Sequence, residues 1–315
     1  MYHKLIRHGW IPILAIVLGT SLFLGYQLKD FLIDSGTSVL LDDGDPDLAY
    51  YNQSRVDWGY DEYTIICLHR ENWFTPEEVS LLNEFTTALK NVPNVESITA
   101  INTVPLLRNR PAKKIPLLGA VPDVATLEGD SDVDLEKAKK ELTEHTQALG
   151  NIISADGKDI SILLYLPIPE GLKDIEPEWN ELHSRKGDPG TEKRIAELWP
   201  EYDRILRIWR NQREAQVEGI RKLCQEWQPL FEEPIRLSGL PVINVGMVEH
   251  VENDMQTFGI AAIGMFTLAF FLVFRAWRWT ILPILTCLIP VIIVMGLMTL
   301  LDIRMTVISS NMPVL

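Results

Sequence analysis

Hydrophobic and polar positions follow two different patterns along this chain. Three stretches are apolar on every side of a helix: Trp10 to about Leu28, Met255 to Phe274, and Thr280 to Leu301. None of them contains Asp, Glu, Lys or Arg. At a rise of ~1.5 Å per residue, each is long enough to cross a hydrocarbon core of about 30 Å. The first stretch could instead be a cleaved leader, with His3, Lys4, Arg7 and His8 as its basic start. However, Tyr26-Gln27-Leu28-Lys29-Asp30 offers no small-x-small cleavage site, which favours a retained anchor.

Residues 29–254 have the texture of a water-exposed domain, with short apolar runs between charged and turn-forming segments. Thr64–Leu68 is β-branched and reads as a buried strand. Thr75-Pro76-Glu77-Glu78 carries the cap, N1 proline and first-turn acids of a helix start, and Val79, Leu82, Phe85 and Leu89 continue it at helical spacing. Val95–Ile101 then predicts a second strand, completing a βαβ unit. Residues 103–130 read as an exposed connector. A helix is expected from Asp132, with Leu135, Ala138, Leu142 and Leu149 on its apolar face. The turn Asp156-Gly157 precedes a strand at Ile160–Leu166. The polar stretch 167–190 reads as a linker or insertion. Pro200 opens a helix to Gln228 whose stripe (Tyr202, Ile205, Trp209, Val217, Ile220, Cys224, Trp227) is weakest near Gln212-Arg213. Ile235–Gly239 forms a last strand before Leu240-Pro241.

Charge adds an orientation. Lys4 and Arg7 precede the first span, and the loop between the second and third spans, Arg275-Ala276-Trp277-Arg278-Trp279, has two arginines and no acid. The positive-inside rule puts both in the cytoplasm and leaves residues 29–254 outside. Trp10, Tyr26, Trp277 and Trp279 sit where interfacial aromatics belong. The formal net charge is −14, and setting aside Lys4, Arg7, Arg275 and Arg278 leaves −18 for the remainder. So acidic a surface argues against nucleic acid and against anionic lipid headgroups as partners.

Candidate chemistry is sparse. The three cysteines, Cys67, Cys224 and Cys287, have no metal-ligand spacing, and the six histidines do not cluster with acids. Cys67 and Cys224 are expected either to be two unrelated core thiols or to pair. The sequence has no P-loop, dinucleotide fingerprint, nucleophile elbow or metalloprotease motif. No catalytic, cofactor-binding or metal-binding residue is therefore assigned, and no cofactor is expected.

One span, a large external α/β domain and then closely spaced spans resembles the half-repeat layout of the resistance-nodulation-division (RND) superfamily of transporters. Leu41-Asp42-Asp43-Gly44-Asp45-Pro46-Asp47-Leu48-Ala49-Tyr50 is similar to the acidic segment after the family's first helix. Ile153-Ser154-Ala155-Asp156-Gly157 resembles the turn before a porter-domain strand. Leu237-Ser238-Gly239-Leu240-Pro241-Val242 with the later Asp254 resembles the approach to the second helix. Phe274-Arg275-Ala276-Trp277-Arg278 followed by Pro283 resembles the loop joining helices two and three. The flavour is that of the MMPL-like, hopanoid- or sterol-associated branch, whose members move lipids and other amphiphiles.

The resemblance implies transmembrane helices carrying an extracytoplasmic α/β porter domain of ferredoxin-like, βαβ type. Asp45, Pro46, Asp47, Asp156, Gly157, Gly239, Pro241, Asp254, Arg275 and Arg278 would then be structural or route-lining positions. The implied organisation is a cytoplasmic N-terminus (1–9), a first membrane helix (10–28), the porter-like domain (29–254) with a helical insertion at about 167–229, a second helix (255–274), a cytoplasmic loop (275–279), a third helix (280–301), and the start of a further segment (302–315). It also implies a non-enzymatic, proton-driven transporter of the inner membrane with a periplasmic domain. Its partners would be the bilayer, an amphiphilic or lipid substrate, and a homo-oligomer or periplasmic partner protein. The three spans hold no acid to serve as a proton relay, so relay residues are expected beyond residue 315 and the chain reads as an N-terminal fragment. The alternative is a membrane-anchored extracytoplasmic sensor or assembly factor without transport activity.

Overall fold

The four-stranded antiparallel sheet at the centre of residues 42–245 is built on period-two burial. A computed structural model describes residues 2–30, 33–34, 46–60, 62–109, 113–115, 119–121, 124–130, 132–185, 190–301 and 305–306. Within it the chain forms two compact units, Met1–Leu41 with Gly246–Leu315, and Asp42–Val245.

In the first unit, α1 (Tyr2–Gln27) is followed by a short 3-10 turn and by β1 (Ile33–Asp34). In the second unit, α2 (Pro46–Trp58), β2 (Tyr63–His69), α3 (Pro76–Lys90) and β3 (Ser97–Thr99) come next. A small hairpin, β4 (Lys113–Ile115) with β5 (Gly119–Val121), precedes α4 (Leu135–Glu144) and β6 (Asp159–Tyr165). Helices α5 (Leu172–Ser184) and α6 (Thr191–Trp227) lead to β7 (Arg236–Ser238). Then follow α7 (Leu240–Phe274), α8 (Trp277–Leu300) and β8 (Met305–Thr306).

The sheet order is β3-β6-β2-β7, and every neighbouring pair is antiparallel. The expected β2-α3-β3 unit is therefore split. Its two strands run the same way but are held apart by β6, and α5–α6 connect β6 to β7 around β2 in the same manner. Register is continuous from Tyr63↔Tyr165 to His69↔Asp159. Thr64, Ile66 and Leu68 alternate with half-exposed neighbours, as do Ile160, Ile162 and Leu164. Ile66, Leu68, Ile160, Ile162 and Leu164 share one core with Leu82, Phe85 and Leu89 of α3 and Ile220 and Cys224 of α6. Full burial of each large side chain contributes about 1.5–3 kcal/mol.

The structure corrects several expectations. The 103–130 connector is anchored in the core at both ends: Leu106 and Ala125 are fully buried and exchange backbone hydrogen bonds of 2.8 and 3.3 Å, and Leu127 is buried beside them. The polar 167–190 stretch contains α5, whose Leu172 and Ile175 pack with Ile205 and Trp209 of α6 in a second core. That packing also carries α6 back through Pro200 to Thr191, so the proline lies inside the helix instead of opening it. Helix α4 begins at Leu135, not Asp132, because the Asp134 side chain caps the Lys137 N–H at 3.2 Å. It ends at Glu144, leaving Leu149 outside it and 40% exposed. Helix α7 starts fifteen residues before the expected span because Leu240-Pro241 opens it at its first turn. The helix start at Thr75 is as expected, with its hydroxyl accepting from Glu78 N–H at 3.3 Å.

The weak point of the α6 stripe is a polar clamp. Gln216 is fully buried, accepting from the Thr64 hydroxyl at 3.1 Å and donating to the Asn94 carbonyl at 2.8 Å. Arg213 closes a two-nitrogen pair on Glu62, with contacts of 3.0 and 2.7 Å.

Within the other unit, α1 lies against α8. Gly296 allows the approach, since a Cβ there would stand 2.4 Å from the Leu24 carbonyl oxygen. The β1–β8 ladder is parallel, Ile33 opposite Met305. Among the described residues two helices, Leu240–Phe274 and Trp277–Leu300, are long and apolar enough to cross a membrane, and Ile11–Gln27 is a shorter apolar helix.

Candidate functional site

The face of the sheet turned away from α3 and α6 forms the floor of a groove of about 820 Å³. The same alternation that buries Ile66 and Ile162 sends Tyr63, Ile65 and Cys67 of β2, and Ser161, Leu163 and Tyr165 of β6, to this side. Val104, Pro105 and Leu107 form one wall. Leu142 of α4, His145 at its C-cap and the 147–152 loop form the other.

The groove is amphipathic and carries little free charge. Tyr63 and Tyr165 sit directly opposite in the register, their rings 5.7 Å apart and inclined at 53°. Cys67 and Ser161 face each other at 3.8 Å. Glu141 is the one carboxylate in the lining, and it is buried and committed: its oxygens accept the Leu107 N–H at 2.6 Å and the Arg108 N–H at 3.1 Å. This bracket ties the 104–108 wall to α4. A second one joins Asn109 and the Asp134 backbone through hydrogen bonds of 2.9 and 3.0 Å. His145 caps the end of α4 and accepts the Gln147 N–H through Nδ1 at 3.2 Å. Among the described residues no group of three His, Cys, Asp or Glu is placed to hold a metal ion. Such a surface can hold an apolar body along Ile65, Leu163 and Leu142, with hydroxyl and amide groups for a small polar end.

Of the sequence-derived positions, those among the described residues lie elsewhere, and none of these lines the groove. Asp45 is outside the described residues. Pro46 is the first residue of α2, and Asp47 is exposed in its first turn. Asp156 and Gly157 form the turn before β6. The Ser154 hydroxyl donates to Asp156 at 2.6 Å, and this bond is the main reason the Asp156 carboxyl is held below its usual range. Gly157 takes φ 74°. Gly239 has φ 101°, and a Cβ there would meet the Tyr63 carbonyl oxygen at 2.3 Å. It is the point where β7 passes into α7 against the backbone of β2. Pro241 is buried and Asp254 is exposed on α7. Arg275 ends α7 in the left-handed region at φ 49°, its N–H bonded to the Phe271 carbonyl at 2.8 Å, and Arg278 is exposed in the first turn of α8.

Among the described motif positions, Asp156, Gly157, Gly239 and Arg275 lie at turns or helix junctions, whereas Asp254 lies within α7. The groove residues went unassigned in the sequence. The signal that could have found them is period two: the half-polar set Tyr63, Ile65, Cys67 opposite the set Ser161, Leu163, Tyr165. The three cysteines are free, and Cys67 is a groove residue, not a core thiol. Burial pushes the Cys224 thiol up to about 12.

Residues 206–315 match the model of the MMPL family. Over that stretch the chain is similar to the MMPL family. The match runs from the second half of α6 through β7, α7 and α8, and takes in Gly239, Pro241, Asp254, Arg275 and Arg278. The MMPL family is membrane-embedded and consists of RND-type transporters of hydrophobic compounds. No curated protein matches the chain. The groove residues of β2, α4 and β6 precede the MMPL match, and Ser238 at the groove's edge falls within it.

Proposed function

We propose that this chain works as part of a proton-driven RND-type transporter that moves lipids or other amphiphiles across or out of the inner membrane. Residues 29–254 form its ferredoxin-like porter domain on the periplasmic side, with the 167–229 helices as an insertion. The bilayer, the substrate and either further copies of the chain or a periplasmic protein are its partners. The observation that carries this reading is the MMPL match over residues 206–315, in a chain whose external sheet leaves an amphipathic groove on its open face.

The groove would supply one wall of the substrate route. Its floor offers apolar area to an acyl or polycyclic body without a free charge to desolvate, and the chemistry is binding and release with no covalent step. Net stabilisation would come from apolar area removed from water, at about 25 cal/mol per Å². The hydroxyl and amide groups at the rim keep the polar end oriented.

The test is transport of a fluorescent amphiphile by the intact protein reconstituted in liposomes, with and without an imposed proton gradient. The account expects gradient-dependent transport that falls at least tenfold in Leu163→Glu, which puts a charge on the half-exposed groove floor. Transport indifferent to the gradient would remove the coupling, and a fully active Leu163→Glu would remove the groove from the route. Bound amphiphile should also slow maleimide labelling of Cys67.

A further inference from the structure

Away from the groove, a carboxylate is buried where three segments of the external unit meet. Glu176 of α5 is 3% exposed. The Tyr60 hydroxyl donates to its Oε2, and Nη1 of Arg55, on α2, lies 3.4 Å from its Oε1. The Arg55 guanidinium is itself held over rings, 4.7 Å from the centre of Tyr60 and 5.7 Å from that of Trp209. Tyr60 meets Trp209 of α6 edge-on at 5.4 Å. Helix α2 thus joins the rest of its unit through a charged centre wrapped in aromatic surface, and it lies against α5.

The charges around this centre come from every element packed on it. From α2 the group facing the carboxylate is Arg55, and from the loop before β2 it is Tyr60. From α6 the facing residue is the uncharged Trp209. Its charged neighbours are paired: Arg207 with Asp203 at 2.5 Å, and Arg213 with Glu62 at 2.7 Å. On α5 itself, Glu178 is paired with Arg194 of α6 at 2.7 Å.

We propose that Glu176 is a proton-operated latch that docks α2 onto α5 more firmly as the external medium acidifies. An ionised carboxylate at this depth has lost its water, and one tyrosine hydroxyl and one cation at 3.4 Å replace it only in part. Releasing α2 would re-solvate the charge, so the ionised form favours release and the neutral acid favours docking. Burial is the leading influence on Glu176 and raises its carboxyl above the ordinary range, against the opposing pull of Arg55. The sign follows from linkage: the state that binds the proton more tightly gains as pH falls. Arg55 stays cationic throughout, and the faces of Tyr60 and Trp209 keep it in place when its counter-charge is neutralised. The latch does not depend on the transport reading.

The experiment is a spin-label distance measurement on the intact chain in nanodiscs. Labels sit at the exposed positions Tyr50 of α2 and Lys173 of α5, in a background of Cys67→Ser, Cys224→Ala and Cys287→Ala. The released fraction should fall at least threefold between pH 8 and pH 5. Glu176→Gln should hold the low-pH distribution at every pH. Tyr60→Phe and Arg55→Met each remove a group that favours the carboxylate, so each should move the midpoint to higher pH. A distance distribution that does not change with pH, or a Glu176→Gln chain that keeps the wild-type response, would overturn the latch. If Glu176→Gln does not fold, midpoints in Tyr60→Phe and Arg55→Met identical to wild type would overturn it instead.

Discussion

Single residues in this chain are constrained most tightly where backbone meets backbone. Gly239 combines a left-handed φ of 101° with a Cβ position 2.3 Å from the Tyr63 carbonyl oxygen, so both its conformation and its space exclude a side chain. Gly239→Ala should destabilise the unit Asp42–Val245 by about 2–4 kcal/mol, the sum of backbone strain and overpacking. Thermal unfolding of the detergent-solubilised chain reads this as a fall in Tm, and an unchanged Tm would contradict the close approach. The cysteines give a second prediction at this scale. Cys224 is buried with its thiol pushed up to about 12, whereas Cys67 is half-exposed on the groove floor. Mild maleimide treatment should therefore modify Cys67 in the native protein and reach Cys224 only after denaturation, as peptide mass spectrometry would show. The sequence marked Gly157 as a turn position through Asp156-Gly157, whereas it placed Gly239 at the end of a strand. It could not reveal Glu176, whose partners Arg55 and Tyr60 are 121 and 116 positions away in the chain.

At the level of elements, local signals served where a cap or a period was strong. Thr75-Pro76 started α3 as expected, the β-branched run at 64–68 marked β2, and the Asp156-Gly157 turn preceded β6. The misreadings share one cause, tertiary packing that overrides local preference. Pro200 should break a helix, yet the contacts of Ile205 and Trp209 with Leu172 and Ile175 hold α6 continuous through it. Pro200→Ala should restore a backbone hydrogen bond and raise stability, by up to about 3 kcal/mol. A lowered Tm would show that the proline serves the packing. Leu106 and Leu127 were misread as connector residues because Pro, Gly and charge surround them. Between α1 and α8 the controlling feature is again contact distance. A disulfide formed between Gly25→Cys and Ile292→Cys should be lost when Gly296→Leu is added, because the larger side chain meets the Leu24 backbone. Persistent cross-linking would argue against that crossing.

For the molecule as a whole, composition and hydropathy indicated the division between apolar helices and an acidic domain, and the family resemblance anticipated the MMPL match over residues 206–315. The split order β3-β6-β2-β7 was beyond local reading, since a βαβ pattern does not say whether a later strand inserts between its two strands. Everything proposed about transport rests on residues 29–254 lying outside the cytoplasm. The most direct measurement is labelling of single cysteines by a membrane-impermeant maleimide, in right-side-out and inside-out vesicles. With Gln147→Cys in the acidic domain and Arg278→Cys in the first turn of α8, position 147 should react only in right-side-out vesicles and position 278 only in inside-out ones. The reverse pattern would contradict the account.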